Sequence, residues 1–159
     1  MTNYSFNLPT DHFQFYVEDS QTTVDTSTIW DDKTEVDRIA LAAGFIAVTT
    51  VRFGGLTTIE LTFHHESPAY SVDDWHHIVH CSIMLESGKI IIHSPELDYV
   101  DAPIVIVEPG NYEVLVLFSN LDGFDDEMDM MGDDFYRLAF WKGSLIEPLV
   151  IKQYTPLSS

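Results

Sequence analysis

Gly44-Phe-Ile-Ala-Val-Thr-Thr-Val51, followed after Gly54-Gly55 by Leu56-Thr-Thr-Ile-Glu-Leu-Thr-Phe63, decides the reading of this chain. β-branched residues crowd the first run, and the glycine pair gives the two runs the pattern of a hairpin. On the N-terminal side, His12-Phe-Gln-Phe-Tyr-Val17 alternates and predicts a first strand with Phe13, Phe15 and Val17 on one face. Towards the C-terminus, strands are expected over 75–85, 89–93, 104–107, 112–118, 135–141 and 145–151. Ser87-Gly88 and Pro109-Gly110 mark two of the turns. The segment 31–44 reads as a helix, with Val36, Ile39, Ala40 and Ala43 at helical spacing, acids at its start and Gly44 as its stop. Eight or nine short strands with one short helix predict a mainly β protein, an antiparallel β-sandwich.

A chain of 159 residues with 45% apolar and 13% aromatic content can bury a core, so one domain over 1–159 is expected and global disorder is not. No run of about 18 apolar residues predicts a transmembrane helix. The start, Met-Thr-Asn-Tyr-Ser-Phe-Asn-Leu-Pro, has neither the basic nor the apolar region of a secretory signal. Cys81 is the lone cysteine, which excludes an internal disulfide and fits a reducing compartment. A cytoplasmic location is the expectation.

Charge is the distinctive property. Seven Lys and Arg against 26 Asp and Glu leave a formal net charge of -19. From Lys89 to Arg137 there is no intervening Lys or Arg, while twelve carboxylates fall in the interval. Seven of them lie in Asp122-Gly-Phe-Asp-Asp-Glu-Met-Asp-Met-Met-Gly-Asp-Asp134, within an acidic loop expected over 119–134. Such a field repels phosphates and excludes direct nucleic-acid binding; it also weakens attraction to an anionic membrane. It suits a strongly basic protein, and a protein that itself binds nucleic acid has that surface. The candidate contact residues are Asp122, Phe124, Asp125, Asp126, Glu127, Met128, Asp129, Asp133 and Asp134. Phe124 or Met128 would serve as an apolar anchor, and the flexible thioethers of Met128, Met130 and Met131 can mould to an irregular surface. The plainer alternatives are a solvated loop that keeps the protein soluble, and methionines that pin the loop to the core. Helix residues Asp31 to Asp37 and the Asp73-Asp74 turn are the next acidic surfaces to consider.

Other chemistry has little support in the residues. His76, His77 and His80 share a strand, with His64-His65 and His93 in neighbouring ones, but no zinc spacing and no Cys-pair framework accompanies them. The acidic loop lacks the ordered alternation of a calcium loop. No phosphate loop or nucleophile elbow occurs, and Cys81 sits in an apolar strand pattern. No cofactor or metal is therefore expected, and the chain does not read as an enzyme. A carbohydrate- or small-ligand-binding sandwich, using Trp75, Tyr99 and Trp141, is the main alternative; a metal-dependent enzyme built on the strand histidines is a further one.

The order of the segments carries a resemblance. An aromatic strand at 12–17 leads to Trp30-Asp31 and an acidic helix, then to Ala42-Ala-Gly-Phe-Ile-Ala-Val48. Val107-Glu-Pro-Gly-Asn-Tyr-Glu-Val114, an acidic loop and Asp134-Phe-Tyr-Arg-Leu138 follow. Over roughly residues 10–142 the chain resembles the competence protein J family, whose founding members inhibit a DNA-entry nuclease. Related β-sandwich proteins act as immunity partners of bacterial nuclease toxins. The resemblance implies inhibition by tight binding to a cognate basic nuclease in the bacterial cytoplasm, and it assigns no individual binding residue. The chain departs from the family pattern in extra residues around 119–133 and in a strand after Trp141.

Overall fold

In the computed structural model, which describes residues 2–156, the chain forms two packed β-sheets. The strands are β1 (Thr2–Thr10), β2 (Gln14–Asp19), β3 (Ile39–Ala42), β4 (Phe45–Thr49), β5 (Gly55–His64), β6 (His77–Leu85), β7 (Lys89–His93), β8 (Ile104–Ile106), β9 (Gly110–Ser119), β10 (Phe135–Lys142) and β11 (Leu149–Lys152). One sheet has the order β1-β5-β10-β9-β6-β11, the other β3-β4-β2-β7-β8. Phe15, Val17 and Ile46 of the smaller sheet meet Leu61, Val116 and Phe140 of the larger in one continuous core. The mainly β expectation holds, with eleven strands where eight or nine were read. Every strand pair is antiparallel except β5–β10.

Three departures from the sequence reading share one cause, tertiary pairing overriding a local signal. The Gly54-Gly55 hairpin does not form. β4 pairs with β2 and β3, whereas β5 pairs with β1 and β10, so residues 50–54 cross from one sheet to the other. The helix α1 is only Asp32–Asp37. Asp31 and Thr34 close a capping box at its start, and Arg38 at φ 64° ends it. Ile39 and Ala40 are buried in β3, where Ile39 reaches the central core and Ala40 packs with Tyr16, Phe45 and Ala47 on the outer side. A strand buried on both faces has no alternation to betray it, and its small residues pass for helix. Gly44, at φ 67°, makes the β3–β4 turn. Finally, His12 and Phe13 are left-handed turn residues (φ 54° and 60°), so the aromatic strand starts at Gln14 and a new strand, β1, precedes it.

The larger sheet is covered on its outer side as well. Trp75, Ile78, Leu115, Leu117, Ala139 and Trp141 form a second buried cluster there. The Arg137 guanidinium lies 5.1 Å from the Trp75 ring centroid and pairs with Glu60 at 2.6 Å. Trp75 and Trp141 are packing residues, which removes two of the three aromatics needed for a sugar-binding shelf.

Candidate functional site: a pinned acidic loop

Arg52 sits in the crossover between the sheets and is 1% exposed. A buried guanidinium has to satisfy its five donors inside the protein. It does so by holding the acidic loop. Nε donates to Asp134 Oδ1 at 2.7 Å, Nη1 to the carbonyls of Gly54 (3.0 Å) and Asp129 (3.1 Å), and Nη2 to that of Leu56 (2.8 Å). Tyr136 donates its hydroxyl hydrogen to Asp134 Oδ2 at 2.8 Å and accepts from the Val51 amide at 3.0 Å. Burial, with the Asp134 carboxylate second, drives the Tyr136 phenol well above its ordinary pKa, so it stays a donor.

Backbone bonds finish the attachment. The Phe53 amide donates to the Glu127 carbonyl at 2.6 Å, Leu56 to Met130 at 2.9 Å, and Asp133 to Gly123 at 2.9 Å. Gly55 makes room for this. A Cβ at that position would stand 2.3 Å from the Met130 carbonyl oxygen, and its φ of 90° already disfavours a side chain. Asp129 closes the loop's inner turn by accepting the Asp125 and Asp126 amides on Oδ2 at 3.1 and 3.0 Å, while Asp126 Oδ1 accepts from Met128 N at 2.9 Å. At the far edge, Tyr154 donates to Asp122, and its ring lies beneath the Arg38 guanidinium at 4.9 Å and stacks on His76. Phe124 lines a shallow depression together with Phe13, Val51 and Tyr154.

The nine sequence candidates therefore separate. Asp122, Asp125, Asp126, Glu127, Met128 and Asp133 are exposed on the loop, as are Met130 and Met131. Asp129 and Phe124 are half-buried and shape it. Asp134 is a correction: it is 1% exposed and belongs to the Arg52 ion pair, so it cannot meet a partner. Among the described residues no Lys or Arg forms an ion pair with an exposed loop carboxylate; Lys33 pairs with Asp37, Arg137 with Glu60 and Lys142 with Glu108. Beside the loop, Asp122 and Asp133 border an open cavity of about 750 Å³ whose opposite wall is Trp75, His76 and Phe135. Arg52, Tyr136 and Tyr154 are the parts that sequence reasoning missed. An isolated arginine beside Gly54-Gly55 was the available signal for the first.

The strand histidines do not converge. His77 Nε2 donates to the Asp37 carbonyl (2.7 Å) and its Nδ1 accepts from Tyr154 N (3.0 Å). His76 Nδ1 accepts from Leu121 N, His80 pairs with Glu113, and His93 pairs with Glu18. The one described group whose ligand atoms come within 4.8 Å of one another is Asp11, His12 and Glu96, which includes none of the strand histidines. Cys81 is wholly buried, and burial pushes its thiol up to about 12, the opposite of what a nucleophile needs.

A two-sheet sandwich whose β9–β10 connection is an acidic platform, pegged from below by a buried arginine, defines the class by fold and surface. No family model and no curated protein sequence matches the chain. Among solved structures, it is similar to ComJ from Bacillus subtilis, described as an inhibitor of the DNA-degrading activity of NucA. The TM-score is 0.61 at 16% identity, covering 90% of this chain and 96% of that one. It is also similar to the protein described as crocagin biosynthetic gene J, with TM-score 0.59, 13% identity, and coverage of 91% and 100% respectively. The fold implied by the sequence resemblance is thus the fold observed, and at these identities the likeness is one of fold.

Proposed function

We propose that the protein is an inhibitor that binds a basic nuclease through the acidic platform and occludes the surface where that enzyme holds nucleic acid. The observation that carries this reading is the fixed backbone under an unneutralised row of carboxylates. Glu127, Asp129 and Met130 give their carbonyls to Phe53, Arg52 and Leu56, while Asp125, Asp126 and Glu127 face solvent. A loop that served solubility alone has no use for a buried arginine that spends two hydrogen bonds on it, at Asp129 and Asp134, and two more on the Gly54 and Leu56 carbonyls beside it. A nuclease presents Lys and Arg to phosphates, and ordered carboxylates offer the same cations charge-assisted hydrogen bonds at small entropic cost. Exposed Met128, Met130 and Met131 add adaptable apolar contact around them. ComJ, on the same fold, is described as inhibiting a nuclease, which supports the reading.

On this reading the chain is not an enzyme, and it acts in the cytoplasm of a bacterium that also makes the nuclease. Two measurements test it together. The full chain, immobilised, is used to capture protein from the native cell, and the captured material is assayed for DNA and RNA cleavage with and without added free chain. A captured nuclease silenced stoichiometrically by the chain is the expected result. Captured nuclease that cleaves at full rate with the chain bound would show that the contact is not inhibitory.

A further inference from the structure

At the other end of β5 from the acidic platform, the edge of the smaller sheet is bare. β8 pairs only with β7. Ile92 donates to the Pro103 carbonyl at 3.1 Å and Val107 to that of Gly88 at 2.8 Å, so Pro103, Val105 and Val107 turn their backbone groups inwards. Ile104 and Ile106, between them, turn theirs outwards. No intrachain backbone partner meets those outward groups among the described residues. Their side chains are 57% and 65% exposed on one face, and Val100, just ahead, is 88% exposed. Edge strands are ordinarily blunted by a charge, a proline or a bulge within the strand. Ile104-Val105-Ile106 is short, three residues directly after Pro103, but no charge, proline or bulge lies within it, and its register with β7 is unbroken. Next to it, Ile106 forms one wall of a cavity of about 370 Å³ whose other walls include the rings of Tyr4, Phe63 and Tyr112.

We propose that the β8 edge receives an extended segment of a partner protein as an added strand, apolar at alternate positions and basic at the end that meets Asp98 and Asp101. A strand is required because only a strand matches outward amide and carbonyl groups repeated every second residue. The apolar alternation follows from Ile104 and Ile106 sharing one face, and the cavity beside Ile106 takes one large side chain. The basic end follows from charge: Glu96, Asp98 and Asp101 are exposed ahead of β8, whereas Lys142 is tied to Glu108 at 2.6 Å and Lys89 stands alone opposite Ile106. A second copy of the chain is a poor occupant, because two molecules of net charge -19 repel. β5 runs from Gly55, beside Met130, to His64, on the cavity wall, so about 30 Å at the rise of an antiparallel strand separates this edge from the platform. The proposal stands independently of the nuclease reading.

The test uses the isotopically labelled full chain and two synthetic peptides of identical composition. One alternates Val and Thr, with a Phe inside and two lysines at one end; the other has the same residues scrambled. The ordered peptide is expected to shift the amide resonances of residues 100–107, to slow exchange of the Ile104 and Ile106 amides, and to bind at least roughly tenfold more tightly than the scrambled one. Ile106→Pro removes an outward N–H without touching the β7 ladder, so it should abolish binding while exchange in β7 is unchanged. Ile104→Lys should weaken binding by a similar factor should the proline variant misfold. Equal binding of both peptides, shifts confined to the acidic platform, absence of binding at millimolar peptide, or self-association through β8 would each overturn the proposal.

Discussion

Arg52 and Asp134, 82 residues apart in sequence, meet in a buried ion pair 2.7 Å long beneath the acidic loop. The pair joins the sheet crossover to the start of β10; Nη1 goes to the Gly54 and Asp129 carbonyls, and Nη2 to the Leu56 carbonyl and the Thr57 hydroxyl. Removing one member of a buried pair strands the other, at a cost of about 3–5 kcal/mol. Arg52→Met should therefore lower unfolding stability by about that amount in urea titration, and hydrogen exchange should show loop amides opening before the sheets. Asp134→Asn strands the Arg52 charge in its turn and leaves one acceptor where Nε and the Tyr136 hydroxyl need two, so it should cost a similar amount. The arginine variant also loses the bond to the Asp129 carbonyl, so its loop amides should open further than those of the Asn variant; equal loop opening in the two would deny Arg52 its extra role as the peg.

Gly55 tests the same seat from the other side. Its φ of 90° and the Met130 backbone 2.3 Å from a would-be Cβ combine strain with collision. Gly55→Ala should cost at least about 1–3 kcal/mol from the backbone conformation alone. It should also free Leu56 N–H, whose present acceptor is the Met130 carbonyl. Exchange rates at Leu56 measured against those of the β5 centre are the readout.

How much of this was legible beforehand depends on what each residue type signals. Strands β7, β9 and β10 stood out because apolar runs ended at turn residues such as Gly88 and Gly110. β3 was hidden because Ile39 and Ala40 are buried on opposite faces, so its pattern imitates a helix. The acidic loop could be read from composition, but its internal division could not. Asp133 and Asp134 are neighbours of the same type, one exposed and one buried, and only the distant Arg52 distinguishes them. Long-range ion pairs leave no periodicity in the chain.

His77 gives the protein a pH dependence with a defined sign. Burial, the largest effect, lowers its pKa from the ordinary 6.5; the Asp37 carbonyl opposes this and Arg38 reinforces it. The geometry agrees, since Nδ1 accepts from the Tyr154 amide and a proton there would face an N–H. The unfolded chain thus takes up a proton that the folded one refuses. Stability from this site is full above the unfolded pKa and is lost as pH falls below about 6.5 towards the lower folded value. The melting temperature should decline over that window, and His77→Gln should flatten that part of the profile. An identical decline in the variant would move the cause to the carboxylates.

Cys81 should be silent in the native protein. With its thiol wholly buried and pushed up to about 12, almost no thiolate exists at neutral pH. Thiol-reactive disulfide reagents should label it only after denaturant is added, at the rate of global unfolding. Fast labelling of the folded chain would mean that β6 opens locally.

The platform's own chemistry is tested by separating the charges that face solvent from those that hold the loop. Asp125, Glu127 and Asp133 are exposed and their carboxylates make no hydrogen bond to the described chain, whereas Asp129 accepts two amides. Replacing the first three as Asp125→Asn, Glu127→Gln and Asp133→Asn should leave the melting temperature equal or higher, because like-charge repulsion is relieved. Affinity for the captured nuclease should fall by at least roughly two orders of magnitude, as expected when desolvated charge pairs are lost. Association by the parent chain should slow steeply as salt rises to physiological strength, where the screening length is about 8 Å, and the triple variant should show a much flatter dependence. Asp129→Ala should act differently, leaving most of the charge and the salt dependence but loosening the Asp125–Asp126 turn, so that dissociation quickens. A triple variant that binds and inhibits as tightly as its parent reduces the loop to a solubility device. The contact would then be sought on α1, from Asp32 to Asp37, and on the Asp73-Asp74 turn ahead of Trp75.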